Sequence, residues 1–290
     1  MAKNNAANSF QSDLHFQIEV GRFEDNPDVY SGSDLHTINF FEIIFISEGV
    51  GVAYTNEHRI DLSPGTILFA SPKQVKRCVF GQQTVKGFHV IFKPEFLGSV
   101  FQDSTILYRL SYFYNYFYMP YMIISKEDFG LLNMSLKEII SEIAIFRFNS
   151  QDIIRSLLYG ILLRLDRLFR EFHHIGNSVG NDNLLTRFRI AIEEHIFSNL
   201  NCNQYADVLK VHRNELNRKI KMYTGYTAIE ILHHRKILEI KSRLLDDEQS
   251  IAEIAYDFHF SNPNNLSRFF KKATGESPLR YRQKMRKNSF

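Results

Sequence analysis

Asn214–Gly225 reads NELNRKIKMYTG, and Asn264–Gly275 reads NNLSRFFKKATG. Asn, Leu, Arg, Lys, Thr and Gly recur at one constant offset, as Asn214/Asn264, Leu216/Leu266, Arg218/Arg268, Lys221/Lys271, Thr224/Thr274 and Gly225/Gly275. Each copy follows a short apolar segment containing alanine, YADVLKV before the first and IAEIAYDFHF before the second. The pattern predicts a short helix, a turn and a second helix, used twice: 204–209 with 212–223, then 250–258 with 262–273.

Within the first copy Asn214, Asn217 and Arg218 are spaced i, i+3, i+4 and share one helix face; Asn264, Ser267 and Arg268 repeat the arrangement. Leu216 and Ile220, like Leu266, Phe269 and Phe270, fall on the other side and can anchor each helix to its domain. Amides and guanidinium groups on a free face suit base edges in a major groove, asparagine for adenine and arginine for guanine. Two copies on one chain predict two adjacent major-groove contacts from a monomer.

Charge follows the doubled motif. Residues 183–290 carry 19 Lys/Arg against 12 Asp/Glu, a net of +7, whereas residues 1–182 carry 16 against 20, a net of −4. Double-stranded DNA is therefore the expected partner, although a merely basic surface explains the charge equally well when charge is taken alone. Between the copies, TAIEILHHRKILEIKSRLL at 227–245 predicts one rigid helix connecting two modules. Leu184–Phe197 reads as the helix that opens this part of the chain. Pro263 suits a first helical turn, and Ser277-Pro278 starts a final short helix with a basic end.

Upstream, the Gly/Asn/Ser/His-rich segment FHHIGNSVGNDN at 172–183 marks a linker, and 177–183 is taken as the domain boundary. Residues 1–176 then form one domain and 184–290 the other, within the size that two cores allow. Apolar content of 44% and charged content of 23% describe an ordinary soluble protein. The two cysteines, Cys78 and Cys202, set no disulfide framework or metal spacing. No signal-like or membrane-spanning stretch stands out, so a cytoplasmic protein without a membrane partner is expected.

After a polar lead-in over 1–18, residues 40–92 read as short strands separated by turns, including Asn56-Glu57 and Pro64-Gly65. A metal-dependent barrel needs clustered histidines and a carboxylate, but His36, Glu42, His58 and His89 are scattered. Lys76 stands where a histidine is sought. No metal, cofactor or catalytic set is assigned, and an enzyme is not expected. Tyr108–Met122, YRLSYFYNYFYMPYM, is either a core segment closing the barrel or a source of rings lining an effector cavity. Lys73, Lys76, Arg77 and Lys86, on or near the barrel, are candidates to meet an acidic group, and none is assigned to a ligand. Two amphipathic helices follow, 126–148 and 151–172, the second with Ile154, Leu157, Leu158, Ile161, Leu162, Leu165 and Leu168 as its apolar stripe. They either cover the barrel or carry a homodimer interface through residues 126–172.

Residues 203–282 resemble the DNA-binding domain of the AraC/XylS family of bacterial transcription regulators, most specifically through SIAEIAYDFHFSNPNNLSRFFKKATGESPLRYR at 250–282. HTINFFEIIFISEGVG and LSPGTILFASP resemble that family's cupin-like sensing domain. The resemblance implies an α+β chain: an N-terminal cupin-like β-barrel with a helical dimerisation segment, then an all-α domain with two helix-turn-helix motifs joined by a long helix. It implies base contact by Asn214, Asn217, Arg218, Asn264, Ser267 and Arg268. By the same resemblance Arg213, Lys219, Lys221, Lys271 and Lys272 would meet phosphates. Lys210 and His259 stand where the family usually has a glycine in each turn. Function is expected to be transcription activation, with a small-molecule effector and RNA polymerase as further partners. The alternatives are a ligand-independent regulator whose barrel serves oligomerisation or protein contact, a cupin-type enzyme and a non-specific nucleic-acid packaging protein.

Overall fold

The computed structural model describes residues 17–25, 36–55, 58–80, 85–98, 105–114, 118–175, 183–245 and 249–287. Most of the expected lead-in, the Asn56-Glu57 turn and most of the expected linker lie outside the described residues. The chain falls into two compact units that divide chiefly between Ile175 and Gly176.

The chain before Gly176 is built on strands β1 (Ile18–Arg22), β2 (His36–Thr37), β3 (Phe41–Glu48), β4 (Gly51–Thr55), β5 (His58–Leu62), β6 (Thr66–Ala70), β7 (Val75–Phe80), β8 (Lys86–Phe92) and β9 (Tyr121–Ile123). They form two sheets, a five-stranded one in the order β1-β8-β3-β6-β9 and a four-stranded one in the order β2-β7-β4-β5. Strand alternation gives the larger sheet two apolar faces. Phe41, Ile43, Phe45, Ile67 and Phe69 enter one core, while Ile44, Ile46 and Leu68 enter another with Ala53, Ile60, Leu62 and Cys78 of the smaller sheet. Because both faces are buried, FFEIIFI reads as a nearly continuous apolar run.

Among the described residues, four α-helices accompany the sheets: α1 (Pro94–Gly98), α2 (Ile106–Arg109), α3 (Lys126–Ala144) and α4 (Ser150–Phe172). Leu132, Leu136 and Ile139 of α3 and Ile154, Leu158, Ile161, Leu162, Leu165 and Phe169 of α4 join the core on the outer face of the larger sheet. Covering the larger sheet is thus one use of this helix pair; among the described residues the strands form two sheets and not the closed barrel that was expected. The first helix stops at Ala144 and not at Phe148 as the apolar periodicity predicts. Asn149 takes a left-handed conformation (φ 65°), and the Ser150 hydroxyl accepts from Arg147 N at 2.8 Å while donating to Glu142 at 2.5 Å, which fixes a turn.

The aromatic segment divides between its two readings. Tyr112 stacks on Phe69 with centroids 4.1 Å apart and donates its hydroxyl to the Leu162 carbonyl at 3.0 Å, and Phe113 packs beside it. Those rings are core. Met119 and Tyr121 pack against the inter-sheet cluster, and Asn115, Tyr116 and Phe117 lie outside the described residues.

Between the sheets, the Lys76 ammonium of β7 donates to the Glu42 carboxylate of β3. Both residues are 2% exposed. The position where a metal ligand was sought thus holds one end of a buried ion pair. Beside it, burial pushes the Cys78 thiol up to about 11, opposed by Lys76 and reinforced by Glu42. His58 is exposed, His89 is buried 3.4 Å from the Glu19 carboxylate, and the side chain of His36 lies outside the described residues. Among the described residues no group of three or more His, Cys, Asp or Glu is placed to hold a metal ion, and no helix is long and apolar enough to cross a membrane.

The second unit contains α5 (Asn183–His195), α6 (Cys202–Val208), α7 (Arg213–Thr224), α8 (Ala228–Leu244), α9 (Ile251–Asp257), α10 (Pro263–Thr274) and α11 (Pro278–Lys287). Its helix starts are written into the sequence: capping boxes pair Asn201 with Gln204, Thr227 with Glu230 and Ser250 with Glu253. Asn262 caps α10, and Pro263 occupies its first turn as expected. The repeated Thr-Gly is a repeated stop. Thr224 and Thr274 donate to the carbonyls of Ile220 and Phe270, and Gly225 and Gly275 follow in the left-handed conformation at φ 80° and 82°.

Of the sheet unit's described glycines, Gly87 has the tightest surroundings. The pairing of β3 with β8 shifts register between Ile46 and Glu48, opposite Gly87, which sits at φ 152°. A Cβ there would lie 1.8 Å from the Phe45 carbonyl oxygen. Gly87→Ala is expected to destabilise the protein by about 2–3 kcal/mol through backbone strain. Urea unfolding checks this, and an unchanged midpoint would remove the close approach from the account.

Candidate nucleic-acid interface

Helix α7 buries Leu216 and Ile220 and exposes Asn214, Asn217, Arg218 and Lys221 along the opposite face. In α10 Leu266 and Phe270 are buried, Asn264, Arg268, Lys271 and Lys272 are exposed, and Ser267 is half-buried. Phe269, expected among the anchors, is also half-buried, against Phe260 and the His233 ring with centroids 5.5 and 5.2 Å away. Each helix therefore presents a polar, cationic strip held by an apolar one.

The turns that set these helices match. Lys210 and His259 both adopt the left-handed conformation, at φ 55° and 57°. In each, the residue after the turn returns its N–H to the buried alanine, Val211 to Ala206 at 3.0 Å and Phe260 to Ala255 at 2.9 Å. Glycine is favoured at such a position because it has no Cβ; here the surrounding bonds hold a lysine and a histidine in it.

Side-chain geometry refines the individual residues. The Asn217 carbonyl oxygen accepts from the backbone N–H of Ala228 at 3.1 Å, so it also caps the start of α8 and presents its amide N–H groups outward. Arg268 donates to the Asn265 carbonyl oxygen, and the Asn265 amide donates to the Ser261 hydroxyl at 2.5 Å. Asn265 and Ser261 thus orient Arg268, a role that reading by helix face did not find; the paired Asn264-Asn265 was its signal in the sequence. Lys219 pairs with Glu215 at 3.4 Å one turn earlier, which draws it along the helix flank. Arg213, Lys221, Lys271 and Lys272 are exposed. His212 caps α7, its Nδ1 accepting from Asn214 N at 3.2 Å.

Two matched helix-turn-helix modules sharing the helix α8, in a chain that also carries a two-sheet unit, define a two-headed helix-turn-helix protein. Comparison with known proteins carries the assignment further. Residues 205–284 match the model of a helix-turn-helix domain, and residues 20–143 match that of an AraC-like ligand binding domain. The chain belongs to the AraC/XylS family of regulators with an N-terminal ligand-binding domain. It is 30% identical over 129 residues to the HTH-type transcriptional activator RhaS of Escherichia coli, in strain K12 DH10B and in O157:H7 alike. That match covers 44% of this chain and 45% of RhaS, so it spans less than half the length of these relatives. Among solved structures, ToxT from Vibrio cholerae aligns over 92% of this chain and 97% of its own at 16% identity and a TM-score of 0.44. The xylose-binding transcription activator XylR aligns over 45% and 39% respectively, at 20% identity and a TM-score of 0.32.

Relieving the two turns should stabilise the second unit. A left-handed non-glycine residue costs about 1–2 kcal/mol, and glycine returns about 0.5–1 kcal/mol of that as unfolded-state entropy. Lys210→Gly and His259→Gly are each expected to raise stability by up to about 1 kcal/mol. Thermal unfolding reads the change, and a fall in both melting temperatures would show that the side chains contribute more than the strain.

Proposed function

We propose that the chain is a sequence-specific DNA-binding transcription regulator whose α7 and α10 enter two adjacent major-groove segments. The observation that carries this reading is the pair of polar strips, Asn214/Asn217/Arg218 and Asn264/Ser267/Arg268, all exposed but half-buried Ser267, on helices seated by the same turn geometry. These six residues are the proposed base contacts, with Asn217 acting as a donor. Arg213, Lys221, Lys271 and Lys272 are the proposed phosphate contacts, with Lys219 beside them on the flank. The assigned domains are 1–176 and 184–290 with 177–183 between them, and the site of action is the cytoplasm.

Activation is the proposed direction because the related RhaS is an activator, and RNA polymerase is then the partner through which activation acts. The match to an AraC-like ligand binding domain supports a small-molecule effector for the sheet unit. A ligand-independent regulator is the second reading. It is favoured by the apolar side chains and the Lys76–Glu42 pair that occupy the space between the sheets. A homodimer through 126–172 is supported by exposed Leu131, Met134, Ile153 and Leu163 on the two helices. Gly130 and Gly160 support it further: nothing lies within 4 Å of a Cβ built at either, which leaves room for close helix approach.

Arg218→Ala and Arg268→Ala should each weaken binding to the selected site by about 1–3 kcal/mol and relax discrimination at one base pair. The site would be selected from random duplexes, and affinities measured by fluorescence anisotropy at one fixed salt concentration. A folded double mutant with wild-type discrimination would sink the assigned faces. For the dimer, Met134→Glu with Leu163→Glu should shift the sedimentation coefficient from dimer to monomer; a wild-type protein that sediments as a monomer at micromolar concentration would exclude this interface.

A further inference from the structure

Helix α8 buries four charged residues, Arg235, Lys236, Glu239 and Lys241. Their partners lie on both modules. Arg235 forks onto Glu193 of α5 at 2.6 and 2.8 Å and reaches Glu239 at 3.0 Å. Glu239 lies 3.8 Å from Arg243, and Arg243 pairs with Asp257 at the end of α9. Alternating charges thus run Glu193–Arg235–Glu239–Arg243–Asp257, from the first module along α8 to the second.

Arg243 also stands where the modules touch directly. Phe197, just after α5, and Phe258, just after α9, pack with ring centroids 5.2 Å apart. The Arg243 guanidinium lies 4.6 Å from the Phe197 centroid and 5.7 Å from that of Phe258. A planar cation stacked on two rings and paired with two carboxylates resists both sliding and rotation of one module against the other. The Arg235–Glu239 pair is buried and the Arg243–Asp257 pair is exposed, and neither kind contributes much net stability compared with apolar packing, so orientation is the property for which this arrangement is suited.

We propose that Arg243, with Phe197 and Phe258, is a positioning residue that fixes the base-pair spacing between the DNA segments read by α7 and α10. The proposal rests on the two-headed reading above. Adding one base pair moves the second segment by about 3.4 Å and turns it by roughly 35° about the duplex axis, which a locked pair of heads cannot follow.

The test uses the full-length protein and its selected site. Duplexes carry the native spacing, one base pair more, one base pair fewer, or a single half-site. Wild type is expected to lose about tenfold or more on either change of spacing, the scale of one lost specific contact. Arg243→Met and Phe197→Ala should lose less than about threefold on the same changes while keeping half-site affinity within about twofold, because neither removes a group that faces DNA. Arg243→Lys should fall between, since an ammonium keeps the charge and loses the planar stack. Should Arg243→Met fail to fold by circular dichroism, Phe197→Ala, at a residue 39% exposed, carries the test. Folded variants that keep both half-site affinity and the full spacing penalty would overturn the proposal. A wild-type protein that selects only a single, undivided half-site would instead overturn the two-headed reading, and the spacing role with it.

Discussion

Neither helix-turn-helix module has enough surface to bury a core by itself, and α8 supplies the missing wall to both. Small units are limited by the apolar area they can remove from water. Ile231, Leu232, Ile237, Ile240 and Leu244 bury apolar surface on α8, and the helix packs against α7, α9 and α11. A helix enclosed on so many sides must also enclose charge. Arg235, Lys236, Glu239 and Lys241 are accordingly buried with partners: carboxylates for Arg235, Arg235 itself for Glu239, the Asn199 amide oxygen 3.5 Å from Lys236, and the Tyr281 ring 5.7 Å from Lys241. Arg282 completes the seating by donating to the carbonyls of Leu244 and Gln249 at 2.9 and 2.7 Å, beyond the last hydrogen bonds that α8 makes for itself.

Much of the second unit is legible because its determinants are local. The constant offset between the two copies, the Thr-Gly stops and the Ser/Thr-x-x-Glu starts all act within a few residues, so the sequence holds both members of each interaction. The exposed strips follow from helical spacing for the same reason. What helical spacing cannot show is where a polar side chain finds a partner on another element. Asn217 shares the exposed face with Asn214, yet its oxygen turns to the start of α8. Arg235 lies 42 positions from Glu193, and no local pattern marks that pair. Lys219 is the intermediate case: its partner Glu215 is one helical turn away and was open to reading.

The sheet unit is less legible, because its strands are sandwiched. With one core on each side of β3, the alternation that distinguishes inside from outside disappears, and Glu42 looks like an interruption in an apolar run. Its burial is explained only when β7 brings Lys76 across from the other sheet. The turn chemistry around Pro64-Gly65 was readable; the register shift opposite Gly87, which depends on a backbone approach between strands far apart in sequence, was not. The aromatic segment shows the same limit. Tyr112 and Phe113 are committed to the helix-facing core, whereas Tyr121 reaches the inter-sheet cluster, and composition alone treats these rings alike.

On the proposed reading, a locked pair of reading heads would change how affinity is built. If α7 and α10 were free to move independently, occupying the first groove would leave the second head to search, and ordering it would subtract from the second contact. Holding the modules through α8 and the Phe197–Phe258 contact places that cost in folding, where the apolar core of the unit offsets it. The gain would come with a restriction, because rigid heads would bind two segments only at the separation for which they are set. Charged groups suit this restriction better than apolar ones: a sliding apolar contact loses little, whereas a guanidinium displaced from both its carboxylates and its rings loses several directional interactions at once. The five alternating charges from Glu193 to Asp257 are therefore better understood as fixing geometry than as adding stability: only Arg235 and Glu239 are buried, and the run ends at exposed Asp257.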